Sequence, residues 1–152
     1  MLLDRIDKHI LNQLQQDNRI SNQALAEKVG LSAPACLKRV RKLRESGIIM
    51  ADVSIVNPEA VGHRINVIVE VEMDRDQLDI YEAFNRKMLA APEVAQCYQV
   101  TGEVDFLLMV LVPDMQAYEA FARRELASDP NLRKFRSLIS LRREKFQTAI
   151  EL

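Results

Sequence analysis

The chain has 152 residues, 48% hydrophobic and 28% charged, enough for one ordinary domain or two small ones with buried cores. No run approaches the ~20 apolar residues of a membrane span. The opening MLLDRIDKHI carries charge from its fourth position, unlike a signal peptide, so a cytoplasmic protein without a membrane partner is expected. The net charge of −1 conceals a basic head on an acidic body: residues 1–50 hold nine Lys/Arg against five Asp/Glu, and residues 51–152 hold twelve against seventeen. Such a split points to a polyanion partner for the head alone. Cys36 and Cys97 form no CxxC and are read as reduced, structural thiols.

In chain order, Asp4 to Gln16 places Ile6, Ile10, Leu11 and Leu14 on one stripe, an amphipathic helix capped by Asp4 with Asp7 in its first turn. Ser21 caps a second helix whose apolar face is Ala24, Leu25, Ala26 and Val29. Gly30 ends it at the position that favours a left-handed residue. Ser32 caps a third helix with Pro34 in its first turn. Leu37, Val40 and Leu43 form its expected buried stripe, and five cations (Lys38, Arg39, Arg41, Lys42, Arg44) occupy the other faces. Two helices about a Gly-containing turn, the second cationic, form a helix-turn-helix pattern, which lays its second helix in the major groove of double-stranded DNA. On that geometry Ser32, Ala33, Ala35, Lys38 and Arg39 face base edges, Arg41, Lys42 and Arg44 face phosphates or solvent, and Ser21 and Asn22 open the preceding helix beside the backbone. The competing reading is a plain three-helix bundle with a solvated cationic face.

Ile48 to Val56 is rich in β-branched residues and predicts a connecting strand, ended by Asn57-Pro58. Beyond it the pattern is strand (64–73), helix (77–91, with Leu78, Tyr81, Phe84, Met88 and Leu89 on its apolar side), strand (94–101), strand (105–112), helix (115–126) and a last strand over 136–148. Tyr-Glu-Ala-Phe occurs at 81–84 and again at 118–121, once in each helix, as a duplicated βαβ unit would place it. The whole is an α+β chain. A helix-turn-helix (winged-helix-like) domain over 1–47 is joined by a strand linker over 48–62 to a ferredoxin-like βαββαβ domain over 63–152 that binds ligand and assembles. Apolar residues fall on both faces of the 105–112 strand, so the uncovered sheet face is expected to meet a second subunit.

This combination resembles the Lrp/AsnC (feast/famine) family of transcription regulators. The likeness is carried by LDRIDKHILNQLQQDNRISNQALAEKVGLS, RVRKLRESGII and TGEVDFLLMV and runs from Leu3 to Phe146. The resemblance implies homodimers joined through their C-terminal sheets, assembly of dimers into octameric rings that DNA can wrap, and an amino acid effector bound between dimers. The TGEVD run matches the family's T-G-x-x-D motif through Thr101, Gly102 and Asp105, with Glu103 and Val104 between them; Val104 stands where many relatives carry an aromatic residue. Ile139 and Ser140 are expected to approach the same site from a neighbouring subunit. Chemically the loop suits an amino acid. Gly102 allows close backbone approach, neighbouring N–H groups suit a carboxylate, and Asp105 suits the ammonium. The apolar surroundings (Val104, Leu107, Ile139) favour leucine or methionine. The simpler reading makes Gly102 and Asp105 a hairpin turn only.

Catalysis is disfavoured. Only His9 and His63 are present, with no GxGxxG, P-loop, HExxH or nucleophile elbow, and no cofactor is expected. An RNA-binding sheet would need stacking aromatics where the chain has only Tyr98 and Phe106. An architectural DNA-binding protein of the same fold, without an effector, is the remaining alternative.

Overall fold

The computed structural model describes residues 2–152 and divides into two compact units. One is the segment ending at Ile55 together with Glu144–Leu152, the other Val56–Arg143. The head consists of α1 (Arg5–Gln16), α2 (Asn22–Val29) and α3 (Ala33–Glu45). Each begins on a side chain that accepts an otherwise unpaired N–H. Asp4 and Asp7 form a reciprocal capping box (Asp7 N to Asp4 Oδ1, 2.8 Å; Asp4 N to Asp7 Oδ2, 3.2 Å). Ser21 accepts from Ala24 N and Ser32 from Ala35 N. Gly30, at φ 70°, turns the chain out of α2 while Leu31 N–H reaches back to the Ala26 carbonyl at 2.9 Å.

The head core is Ile10, Leu11, Leu25, Ala26, Val29, Cys36, Val40 and Leu43. Leu37 departs from the expected stripe: it is exposed, and Cys36 is fully buried in its place. Positions 36, 40 and 43 lie on one line of the helix, and 37 is rotated about 100° away from 36. The predicted strand over 48–56 also does not form. Ile48 and Ile49 pack against the head core, while Met50, Val53, Ile55 and Val56 are exposed and unpaired. An alternating apolar run supplies the propensity of a strand, but a strand also needs a neighbour to take its N–H and C=O groups, and among the described residues no backbone ladder forms along 48–56.

The body is β1 (Ile65–Met73), α4 (Leu78–Ala90), β2 (Val94–Gln99), β3 (Phe106–Val112), α5 (Met115–Phe121) with a π-helical continuation over Ala122–Ala127, and β4 (Leu132–Ile139). The sheet order is β2-β3-β1-β4, all neighbours antiparallel, which is the ferredoxin-like arrangement. Strand alternation sorts the residues. Val67, Val69 and Val71 of β1 and Phe106, Leu108, Val110 and Val112 of β3 are buried with Phe84, Met88, Tyr118, Phe121 and Leu126 of the helices. Leu78 and Leu89 are three-quarters exposed, so the buried stripe of α4 is narrower than its apolar composition.

The last strand begins and ends earlier than predicted. Phe135 lies opposite Val71 and Ile139 opposite Val67, after which Ser140 N–H makes one more bond to Asn66 O at 2.9 Å. β1 starts at Ile65, so the ladder closes there and residues 141–148 do not continue the strand. Arg133 and Lys134 make the true start of the strand look like a loop. Arg133 bonds Glu72 Oε1 at 2.9 Å across the edge, and Lys134 sits opposite Glu72.

Candidate DNA-binding and effector sites

In the head, α3 presents three exposed cations, Lys38, Arg41 and Lys42, at i, i+3 and i+4 spacing. Among the described residues none of the three makes an ion pair or hydrogen bond. The other two cations are engaged. Arg44 bonds Asp52 at 2.8 Å, and this bond is the first cause holding the Asp52 carboxyl below the usual range. Arg39, expected at base edges, instead donates through Nη1 to Asp4 Oδ2 and Asp7 Oδ1, both at 2.7 Å. Asp7 is buried, and a buried carboxylate requires such a partner. The capping N–H of Asp7 and then Arg39 lower the Asp4 pKa, and the two carboxylates raise that of Arg39. Arg39 therefore braces α3 against the start of α1.

Asn22 plays a similar part, donating through Nδ2 to the Ala33 carbonyl at 2.8 Å and so fixing the start of α2 to the start of α3. Ser21 and Ser32 are exposed. Their oxygens accept the capping bonds, which leaves their hydroxyl protons to donate. Ala33 and Ala35 are half-buried on the first turn of α3.

In the body, Thr101 to Asp105 form the turn between β2 and β3. Thr101, Gly102 and Glu103 are exposed, and Val104 and Asp105 half-buried. Gly102 sits at φ 115°, where a side chain would be strained. The ends of the turn are pinned: Val100 N bonds Asp105 O at 2.9 Å, and Asp105 N bonds Val71 O at 2.8 Å. The N–H groups of residues 101–104 donate to no protein atom among the described residues. Both oxygens of the Asp105 carboxylate are already engaged, Oδ2 by Met73 N at 2.6 Å and Oδ1 by the Tyr81 hydroxyl at 2.5 Å. That hydrogen bond first, and burial second, push the Tyr81 pKa strongly upward. Each carboxylate oxygen can accept a second bond, so Asp105 is anchored without being used up.

Ile139 and Ser140 lie elsewhere. The turn enters the sheet beside Val71, whereas Ile139 is opposite Val67 and Ser140 bonds Asn66. Four to five residues of β1 separate them, roughly 13–17 Å. One protomer does not bring these two parts of the expected site together. Ser140 instead lines a small pocket of about 60 Å³ with His63, Arg64, Asn66 and Leu111, where Asn66 Oδ1 is buried without a partner.

Tyr81 was not among the expected site residues. The sequence held a signal for it, because Tyr-Glu-Ala-Phe recurs and each tyrosine ties its helix to the sheet layer. Tyr81 reaches Asp105, and Tyr118 shares a short hydrogen bond with Ser137 of β4.

With this geometry in view, the comparisons with known proteins are specific. Residues 66–150 match the Lrp/AsnC ligand binding domain, and residues 3–50 match a winged helix-turn-helix DNA-binding domain. The chain is 43% identical over 150 residues to an uncharacterized HTH-type transcriptional regulator of Haemophilus influenzae, spanning 99% of this chain and 89% of the relative. It is 38% identical over 143 residues to the leucine-responsive regulatory protein of Escherichia coli K12, spanning 94% and 87%. A transcriptional regulator of Neisseria meningitidis, solved in complex with L-methionine, superposes with a TM-score of 0.90 at 32% identity over 98% of this chain and 96% of that one.

The Tyr81–Asp105 bond is testable apart from any ligand. Tyr81→Phe removes one bond to a charged acceptor and should destabilise the body by about 1.5–3 kcal/mol in urea unfolding; a change within error would show that the hydroxyl does not hold the carboxylate. The two matched domains together span nearly the whole chain, and the chain belongs to the Lrp/AsnC family of DNA-binding transcriptional regulators.

Proposed function

We propose that this regulator is a cytoplasmic, amino acid-responsive, sequence-specific DNA-binding protein, with methionine or leucine as its effector. The observation that carries this reading is the Thr101–Asp105 turn. It combines unpaired backbone N–H groups, a glycine at positive φ and an anchored carboxylate within a few residues, inside a domain whose family binds ligands. The N–H groups suit an α-carboxylate. The remaining acceptor capacity of Asp105 suits the α-ammonium. Val104 and Leu107, both half-buried, favour an apolar side chain. The N. meningitidis relative, solved with L-methionine, supports the same class of ligand.

In this reading two copies pair through the sheet face that the helices leave open, where Ile68, Leu107, Met109, Leu111 and Leu138 gather, and dimers join into an octamer. Ile139 and Ser140 of one copy then complete the site begun by the Thr101–Asp105 turn of another, which accounts for their separation within a protomer. Ligand shifts the contacts between dimers and with them the affinity for DNA. At the head, Lys38, Arg41 and Lys42 meet phosphates, as do the Ser21 and Ser32 hydroxyls, with Ala33 and Ala35 nearest the bases and Asn22 and Arg39 holding α3 in place. An architectural protein without effector is the alternative, and the ligand experiment below separates the two.

Replacing Lys38, Arg41 and Lys42 together by Ala should weaken DNA binding in a gel-shift titration and make the log–log salt dependence shallower by roughly 3 for each head. Unchanged affinity and slope would contradict the α3 assignment. In a thermal-shift screen of the twenty amino acids, methionine or leucine should raise the Tm of the wild-type protein by a few degrees, and Asp105→Ala should erase the shift. No response to any amino acid would favour the architectural reading.

A further inference from the structure

Leu37 is the one leucine of α3 that the head core does not take in. It is 37% exposed, while Leu43 is fully buried. With α3 turning about 100° per residue, Pro34, Leu37, Lys38 and Arg41 fall within one face of about 100°. That face is turned away from the buried line of Cys36, Val40 and Leu43. Leu37 therefore stands beside Lys38 and one turn before Arg41, two exposed cations that make no ion pair among the described residues. When those cations meet phosphates, Leu37 faces the groove with them.

The front of α3 offers almost nothing that reads a base by hydrogen bonds. Residues 33–37 are Ala, Pro, Ala, Cys and Leu, and Cys36 is buried. Arg39, the first guanidinium of the helix, is held by Asp4 and Asp7, and the Asn22 carboxamide is held by the Ala33 carbonyl. A guanidinium names guanine and a carboxamide names adenine, each through a pair of hydrogen bonds. An alkyl side chain in the major groove has a different mark to distinguish, the C5-methyl group of thymine. Contact between the two removes apolar surface of both from water.

We propose that Leu37 is a specificity residue that reads thymine through its C5-methyl group. Lys38 and Arg41 hold the phosphates while Leu37 covers the methyl, so each half-site carries a thymine chosen by its methyl group and not by its hydrogen bonds. Leu37 thereby supplies discrimination that the three cations lack, a role that rests on the sequence-specific reading of α3 proposed above.

The test uses the full-length protein and DNA sites that it selects from a random-sequence pool. The selected site is remade with deoxyuridine at each thymine, which deletes the methyl and keeps the hydrogen-bonding edge. At fixed salt, wild-type affinity should fall about fourfold for each methyl that Leu37 covers. Leu37→Ala should bind the thymine site less tightly than the wild type and lose less than about twofold on the deoxyuridine form, because contacting groups are not additive. Leu37→Met, apolar and of similar volume, should keep the penalty. An unchanged Tm in both variants shows that the head still folds. A change in DNA stiffness caused by the missing methyl weakens all three proteins alike, so the difference between them isolates the contact. Equal wild-type affinity for the two DNA forms would overturn the proposal, as would an equal penalty in the wild type and Leu37→Ala. A pool that yields no preferred sequence would overturn the sequence-specific reading and this role together, whereas preferred sites without a methyl effect would overturn this role alone.

Discussion

Two helices cover only one face of a four-stranded antiparallel sheet. Here they bury the face carrying Val67, Val69, Val71, Leu108 and Val110, and leave Ile68, Leu107, Met109 and Leu111 on the other. A polar open face could simply be solvated, but this one is apolar at the centre, with the Glu70–Arg136 pair as its charged neighbour. Burying such a face is worth roughly 25 cal/mol per Å² of apolar surface removed from water, and a second copy of the same sheet is the simplest cover of matching shape. The linker is similar, since Met50, Val53, Ile55 and Val56 expose an apolar run with strand propensity that joins no sheet among the described residues. Both features leave apolar surface of the kind that marks protein–protein contact.

Assembly also matters for the proposed activity. Three unpaired cations on α3 give a single head a weak, salt-sensitive attraction to DNA with little sequence discrimination. Two heads at fixed separation read two half-sites one helical turn or a multiple apart, and affinity then depends on what controls that separation. Rigidity inside the head serves the same end. Arg39 joins α3 to Asp4 and Asp7 of α1, and Asn22 joins α2 to α3, so the reading helix moves with the head as one piece.

What was legible in the sequence was mostly local. Asp4, Ser21, Ser32 and Gly30 mark the helix ends of the head because capping acts within three or four residues of the chain. The body's strand and helix order followed from periodicity in the same way. The misreadings arise where a distant partner decides. β4 is set by the length and register of β1, so Lys134, opposite Glu72, belongs to a strand that its own neighbours disguise. The 48–56 run has the composition of a strand but forms no ladder among the described residues, because composition does not supply a partner. Leu37 and Cys36 exchanged roles because a phase error of one residue turns a helix by about 100°. The ion pairs of Arg39 were hidden because its partners Asp4 and Asp7 lie more than thirty residues away, and Tyr81 looked like core because its hydroxyl meets a carboxylate in another loop. For the candidate sites, residue types and the glycine turn were readable, while their engagement with Met73, Tyr81, Asp4 and Asp7 required the fold.

An amino acid at the Thr101–Asp105 turn and DNA at the cationic face of α3 should be thermodynamically coupled. Equilibrium DNA affinity of the full-length protein, measured across a titration with L-methionine and with L-leucine at fixed salt, tests it most directly. Coupling predicts a saturable change of about 5–150-fold in DNA affinity for one of them, with the ligand's own affinity changed by the same factor when DNA is present. DNA affinity that stays flat while the same amino acid saturates the body would contradict it.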